Sequence, residues 1–143
     1  AHQEFQKLLE AGKPLPFDPR GQVLYYAGPS PTPPGKVIGA VGPTTSYRMD
    51  PFTGLMLEAG IRGFIGKGKR SQHVREQLVQ WGGVYFATFG AAAFLHTRVM
   101  SSRLIAFPHL GPEAVYMLEV ADFPLIVVND IHNGDLYESA LPG

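Results

Sequence analysis

The feature that most limits how this chain can fold is the placement of its prolines, nine of the thirteen falling before residue 52. Proline lacks an amide proton and fixes φ, so it stops helices and avoids central strand positions. Residues 13–20, with three prolines, therefore read as an extended connector, and 28–35, Gly-Pro-Ser-Pro-Thr-Pro-Pro-Gly, as a stiff loop. Around that loop, 22–27 and 36–41 are rich in β-branched, aromatic and aliphatic residues and read as strands. Ahead of them, Phe5, Leu8 and Leu9 share one face of an expected helix that Gly12 stops.

From Asp50 the period changes. Asp50-Pro51 matches an N-cap followed by a first-turn proline, and Phe52, Leu55, Met56 and Ala59 recur at helical spacing up to Gly60. Gly63-Phe64-Ile65 reads as a short buried strand, 66–70 as a glycine-rich loop, and Ser71 as the cap of a helix carrying Val74, Leu78 and Trp81 before Gly82-Gly83. Val84 to Thr88 is a further strand, and Gly90 opens a small-residue helix reaching about Leu95. Two consecutive strand-loop-helix units imply parallel pairing, which gathers the loops at 66–70 and 88–91 on the carboxyl-end edge of one sheet, where α/β proteins bind ligands. Val99, 104–107, 114–120 and 124–128 return to strand-like runs, and Asn133-Gly134 predicts a turn. Pro142-Gly143 reads as a loose end. A single domain over 1–143, of α/β class, follows from these lengths.

The stretch best suited to chemistry is Gly42-Pro43-Thr44-Thr45-Ser46-Tyr47-Arg48-Met49-Asp50. Gly42-Pro43 ends an apolar run and Asp50 begins a helix, so 42–49 are expected as an exposed loop. It offers backbone N–H groups, rotatable hydroxyls and one guanidinium fork, a combination that holds a carboxylate at two points. The competing reading is a capping turn in which Thr44 and Thr45 satisfy backbone groups and Arg48 is a solvated charge. Lys67 lies between two glycines just after a strand, where backbone can approach a ligand closely and an ammonium can reach it. Lys69 and Arg70 read as surface charge. The segment 63–69 fits the start of a phosphate-binding loop but fails at Arg70, which stands where a magnesium-binding Ser or Thr belongs. The N-terminus of the 90–95 helix is a further candidate for anion binding, set against tight packing of its alanines.

Composition excludes several classes. Twelve basic and twelve acidic side chains cancel, so no global field draws nucleic acid or an anionic membrane, and no apolar run is long enough to span a bilayer. The N-terminus carries no signal-peptide pattern, which makes cytoplasm, or an organelle matrix after processing, the expected compartment. The five histidines, His2, His73, His96, His109 and His132, show no paired metal-ligand spacing, so no metal site is expected from them. His73 is expected to face solvent, and His96 to end its helix, where a cation suits the dipole. With no cysteine, the chain can supply no thiolate to an iron–sulfur cluster.

Four motifs in order carry a resemblance: Gly42-Pro43-Thr44-Thr45 with Arg48-Met49-Asp50; Gly66-Lys67-Gly68-Lys69-Arg70-Ser71; Val84-Tyr85-Phe86-Ala87 leading to Gly90-Ala91-Ala92-Ala93; and Asp122-Phe123-Pro124. Together they resemble the class I, iron–sulfur-dependent fumarases and related tartrate dehydratases, in their β subunit or the C-terminal domain of single-chain forms. The resemblance spans nearly the whole chain. It implies a swivelling β/β/α domain with a mixed sheet flanked by helices, and an Arg-Asp-x-x-His motif upstream of which only Ala1-His2 is present. A piece truncated at its N-terminus, lacking a substrate-binding arginine, is therefore expected.

The function the resemblance implies is a hydro-lyase, interconverting fumarate and L-malate. Thr44, Thr45, Ser46, Tyr47, Arg48 and Lys67 would bind substrate; Thr44, and His2 in the position of the motif's histidine, would be catalytic. No cofactor would be bound by this chain; a [4Fe-4S] cluster is expected on a partner α subunit in a hetero-oligomer, its open iron acting as Lewis acid. Alternatives are a tartrate dehydratase β subunit and a non-catalytic dicarboxylate-binding or assembly module.

Overall fold

The computed structural model describes residues 1–27, 42–88 and 92–136. In chain order its elements are α1 (His2–Glu10), β1 (Val23–Tyr25), α2 (Asp50–Ala59), β2 (Gly63–Gly66), α3 (Gln72–Trp81), β3 (Val84–Thr88), α4 (Ala92–Leu95), β4 (Val99–Ala106), β5 (Val115–Val120) and β6 (Leu125–Asn129). The chain divides into two compact units, one of Ala1–Phe17, Ala27–Pro43 and Phe89–Pro124, the other of Asp18–Tyr26, Thr44–Thr88 and Leu125–Gly143. The expected loop at 28–35, strand at 36–41, anion site at Gly90 and end at 142–143 lie outside the described residues.

In the first unit, α1 turns Phe5 inward, where its ring meets those of Phe17 and Phe107 at centroid distances of 5.7 Å. β4 and β5 pair antiparallel, with Leu104 opposite Tyr116.

The second unit holds a four-stranded mixed sheet in the order β1-β2-β3-β6. β2 pairs parallel to both β1 and β3, as two strand-loop-helix units require, and β6 closes the other side of β3 antiparallel. Leu24, Phe64 and Tyr85 stand in register across three strands, so their side chains share one face. β1 is shorter than the expected 22–27, although the Tyr26 amide still donates to Ile65 O at 2.8 Å. α2 and α3 end on left-handed glycines, Gly60 and Gly82, as their positions predict. Met56, Leu57, Ile61, Phe64, Val74, Leu78 and Tyr85 form the fully buried core.

Three local expectations are corrected. Residues 46–49 are a 3-10 turn, Ser46–Met49, rather than open loop, and Ser46 is fully buried. Asp50 is the first residue of α2 and does not cap it. Its carboxylate is drawn away from the helix end by stronger donors, Arg70 Nε at 2.6 Å and the Ser71 amide at 3.0 Å. The buried face of α2 is Thr53, Met56 and Leu57, one step round from the predicted stripe; Phe52, Leu55 and Ala59 are only half-buried. Thr53 turns inward because its hydroxyl is used twice, donating to Met49 O at 3.0 Å and accepting from Arg70 Nη2.

The largest departure is Arg70, expected on the surface and found with no exposed side-chain area. Its guanidinium carbon lies 4.8 Å from the Tyr85 ring centroid, 5.3 Å from Tyr26 and 5.9 Å from Phe64. Those aromatic faces, the Asp50 carboxylate and the Thr53 hydroxyl replace lost hydration, and Nη2 also reaches the Tyr26 hydroxyl at 3.4 Å. Burial pushes the Tyr26 phenol above its ordinary range, only partly opposed by Arg70, so it stays neutral. Removing the guanidinium strands Asp50 and leaves a void among three rings. Arg70→Ala is therefore expected to cost about 3–5 kcal/mol in urea unfolding, against within about 0.5 for exposed Arg48→Ala. Equal midpoints for the two variants would contradict this account.

Candidate dicarboxylate-binding site

The site is built where the 44–49 segment meets the end of β2. Tyr26, just past β1, accepts through its carbonyl from the Thr44 amide at 2.7 Å and the Thr44 hydroxyl at 3.2 Å. Thr45 then forms an isolated parallel bridge to Lys67, one residue past the end of β2. The 3-10 turn follows at once and carries Arg48 round toward α2.

Ser46 is the hinge of this arrangement. Its amide donates to Lys67 O at 3.0 Å and its Oγ accepts from the Lys67 amide at 3.1 Å, so one residue holds both backbone groups of Lys67. The Tyr85 hydroxyl lies 2.8 Å from Ser46 Oγ and 2.8 Å from Gly68 O. Gly68 has φ +88, the left-handed region that lets the chain turn away directly after Lys67.

Of the residues singled out in the sequence, Thr44, Tyr47, Arg48 and Lys67 are exposed, Thr45 is half-buried and Ser46 is buried. One isolated bridge thus sets Thr45 beside Lys67, with Thr44, Arg48 and Lys67 exposed to solvent. Among the described residues neither Arg48 nor Lys67 forms a salt bridge, which leaves two cations uncompensated beside two threonines. His2 belongs to the first unit, half-buried at the start of α1 and edge-on to Phe5 at 5.6 Å. His73 is exposed, as expected. Sequence reasoning missed Tyr85, Tyr26 and Arg70 as parts of the frame. The available signal was the pairing of an aromatic in each strand with an arginine directly after the glycine-rich loop.

The second unit is thus an α/β unit whose sheet edge carries exposed hydroxyls and two cations. The chain belongs to the family described as Fumarase C-terminus, which matches residues 1–140. It is 36% identical over 141 residues to the anaerobic class I fumarate hydratase of Escherichia coli K12, covering 96% of this chain and 26% of that protein. It is 37% identical over 144 residues to fumarate hydratase 2 of Leishmania major, covering 99% of this chain and 25% of that protein. A putative L(+)-tartrate dehydratase subunit beta of Methanocaldococcus jannaschii is 35% identical over 145 residues, covering 96% of this chain and 74% of the subunit. The chain therefore spans about a quarter of the length of the fumarate hydratases it matches, but most of a polypeptide that is named as a separate subunit.

The close approach of Ser46 to β2 explains the glycine at position 66. A Cβ there would overlap Ser46 Oγ and meet the Tyr26 ring at 3.0 Å. Ser46 cannot retreat without losing its bonds to Lys67. Gly66→Ala is expected to destabilise the fold by about 1–3 kcal/mol through overpacking. A melting temperature equal to that of the unaltered protein would show that the segment yields freely.

Proposed function

We propose that this chain supplies the carboxylate-binding half of a class I hydro-lyase site, acting on fumarate and L-malate. The observation that supports the reading is the parallel bridge between Thr45 and Lys67, which sets an exposed lysine beside the segment that carries Thr44, Thr45 and Arg48. In this reading Arg48 clamps one substrate carboxylate through two parallel N–H groups, and Lys67 neutralises carboxylate charge as a mobile point donor. Thr45 and exposed Tyr47 offer hydroxyls beside them. Ser46, whose hydroxyl is committed inside the protein, belongs to the frame rather than to the substrate contacts.

Hydration adds water across the fumarate double bond, the hydroxyl to one carbon and a proton to the other; dehydration of malate reverses both. Thr44 is the residue of this chain assigned to exchange that proton. Its own proton is directed to Tyr26 O, leaving its lone pairs as the acceptor, and the surroundings must supply the activation a hydroxyl lacks. The family resemblance implies an iron–sulfur cluster, for which this chain's own residues do not fit: it has no cysteine, and among the described residues no three His, Asp or Glu side chains cluster. A partner subunit would hold it and contribute Lewis-acid polarisation of the substrate hydroxyl. Turnover is accordingly expected of the assembly and not of the isolated chain. His2 remains a second candidate for proton transfer. The subunit name of the Methanocaldococcus relative favours one further reading, that the substrate is tartrate.

Two substitutions in the assembled enzyme test these roles. Arg48→Lys loses the planar two-point clamp, and kcat/KM for L-malate is expected to fall by an amount on the order of 1.5 to 3 kcal/mol with the melting temperature unchanged. A change of only a few tenths would return Arg48 to a solvated surface charge. Thr44→Val keeps shape and removes the hydroxyl, so kcat should collapse together with solvent deuterium exchange at malate C3, while malate affinity changes little. Persistent exchange would move the base to His2 or to the partner chain.

A further inference from the structure

The motif Val84-Tyr85-Phe86-Ala87 places the Tyr85 hydroxyl in the frame beneath Lys67 without giving it a direct part in binding. The donors and acceptors around that hydroxyl fix the direction of each bond. The Tyr85 hydroxyl has a single proton and lies 2.8 Å from both Ser46 Oγ and Gly68 O. A carbonyl can only accept, so the phenol proton goes to Gly68 O, and the Ser46 hydroxyl proton goes to the phenol oxygen. Ser46 Oγ meanwhile accepts from the Lys67 amide. The result is a directed relay: Lys67 N–H to Ser46, Ser46 O–H to Tyr85, Tyr85 O–H to Gly68 C=O. It begins and ends on the backbone either side of the lysine side chain.

The two side-chain members of the relay are sheltered from solvent competition. Ser46 and Tyr85 have no exposed area, and the Tyr85 ring is held in place by the Arg70 guanidinium 4.8 Å from its centroid. Buried hydrogen bonds in series polarise one another and resist rearrangement. A long, flexible ammonium such as Lys67 has many rotamers, so its useful aim depends on how firmly its backbone is fixed.

We propose that Tyr85 is a positioning residue, which acts through Ser46 and Gly68 to hold Lys67 at the substrate carboxylate while touching no substrate itself. The proposal rests on the reading of Lys67 as a carboxylate contact. It deepens that reading by assigning specificity for the position of the lysine to a core tyrosine on β3.

The test is a double-mutant cycle on the assembled enzyme, titrated with L-malate. Tyr85→Phe keeps the ring under Arg70 and removes only the hydroxyl. In an otherwise unaltered protein it is expected to weaken malate binding about five- to tenfold, the worth of one well-placed hydrogen bond. In a Lys67→Met background it is expected to change binding less than about twofold, because the lysine it positions is gone. Equal losses in both backgrounds, or no loss in the first, would overturn the positioning role and leave Tyr85 as ordinary core. A Lys67→Met change that leaves malate affinity intact would instead sink the carboxylate reading, and this proposal with it, so the two failures are distinguishable. If Tyr85→Phe proves too unstable to titrate, Ser46→Ala breaks the same relay one link earlier and is held to the same pair of outcomes.

Discussion

The second unit depends on one buried charge. Arg70 follows Gly66-Lys67-Gly68 and Lys69; its Nε and Nη2 donate to Asp50 and Thr53 of α2, and its faces are covered by rings from β2, β3 and the end of β1. Taking an arginine fully out of water is costly unless a carboxylate and further acceptors meet it. Here Asp50 does so with one oxygen and holds the start of α3 through the Ser71 amide with the other. One ion pair thus fixes the beginnings of two helices against the same sheet edge. The segment carrying Arg48 and the loop carrying Lys67 both hang from that junction.

This arrangement separates residues that hold from residues that reach. Ser46, Tyr85, Arg70 and Thr53 are fully or almost fully buried and bonded to one another, to Asp50 and to backbone. Thr44, Arg48 and Lys67 are exposed on the frame those residues build. The same Fumarase C-terminus family includes proteins of which this chain spans about a quarter and a named subunit of which it spans most.

The elements of the fold were legible in the sequence wherever punctuation was strong. Gly60, Gly82 and Ser71 marked helix ends and a cap that the structure reproduces, including the Ser71 hydroxyl accepting from the Val74 amide at 3.2 Å. The parallel core followed from the order of strands and helices. Polar burial was harder to read, because a hydroxyl or guanidinium carries no periodic signal and its fate is decided by partners distant in sequence. Arg70 looked like surface beside Lys69, yet its partners are 17 and 20 residues away. Thr53 lay outside the apolar stripe for the same reason, and accepting Arg70 turned α2 by one position. The Thr-Thr segment was recognised as a carboxylate-binding candidate, but its attachment to β2 through Ser46 rests on a tyrosine 39 residues further on.

The aromatic enclosure of Arg70 has a bearing on which strand pairings this sequence tolerates. Side chains alternate along a strand, so sliding β3 by one residue against β2 would turn Tyr85 to the opposite face and bring Val84 or Phe86 beside Phe64. The guanidinium would lose its nearest ring, and Ser46 and Gly68 would lose the phenol. The buried charge thus adds its own penalty against a slipped register to that of the apolar side chains such a slip would turn outward.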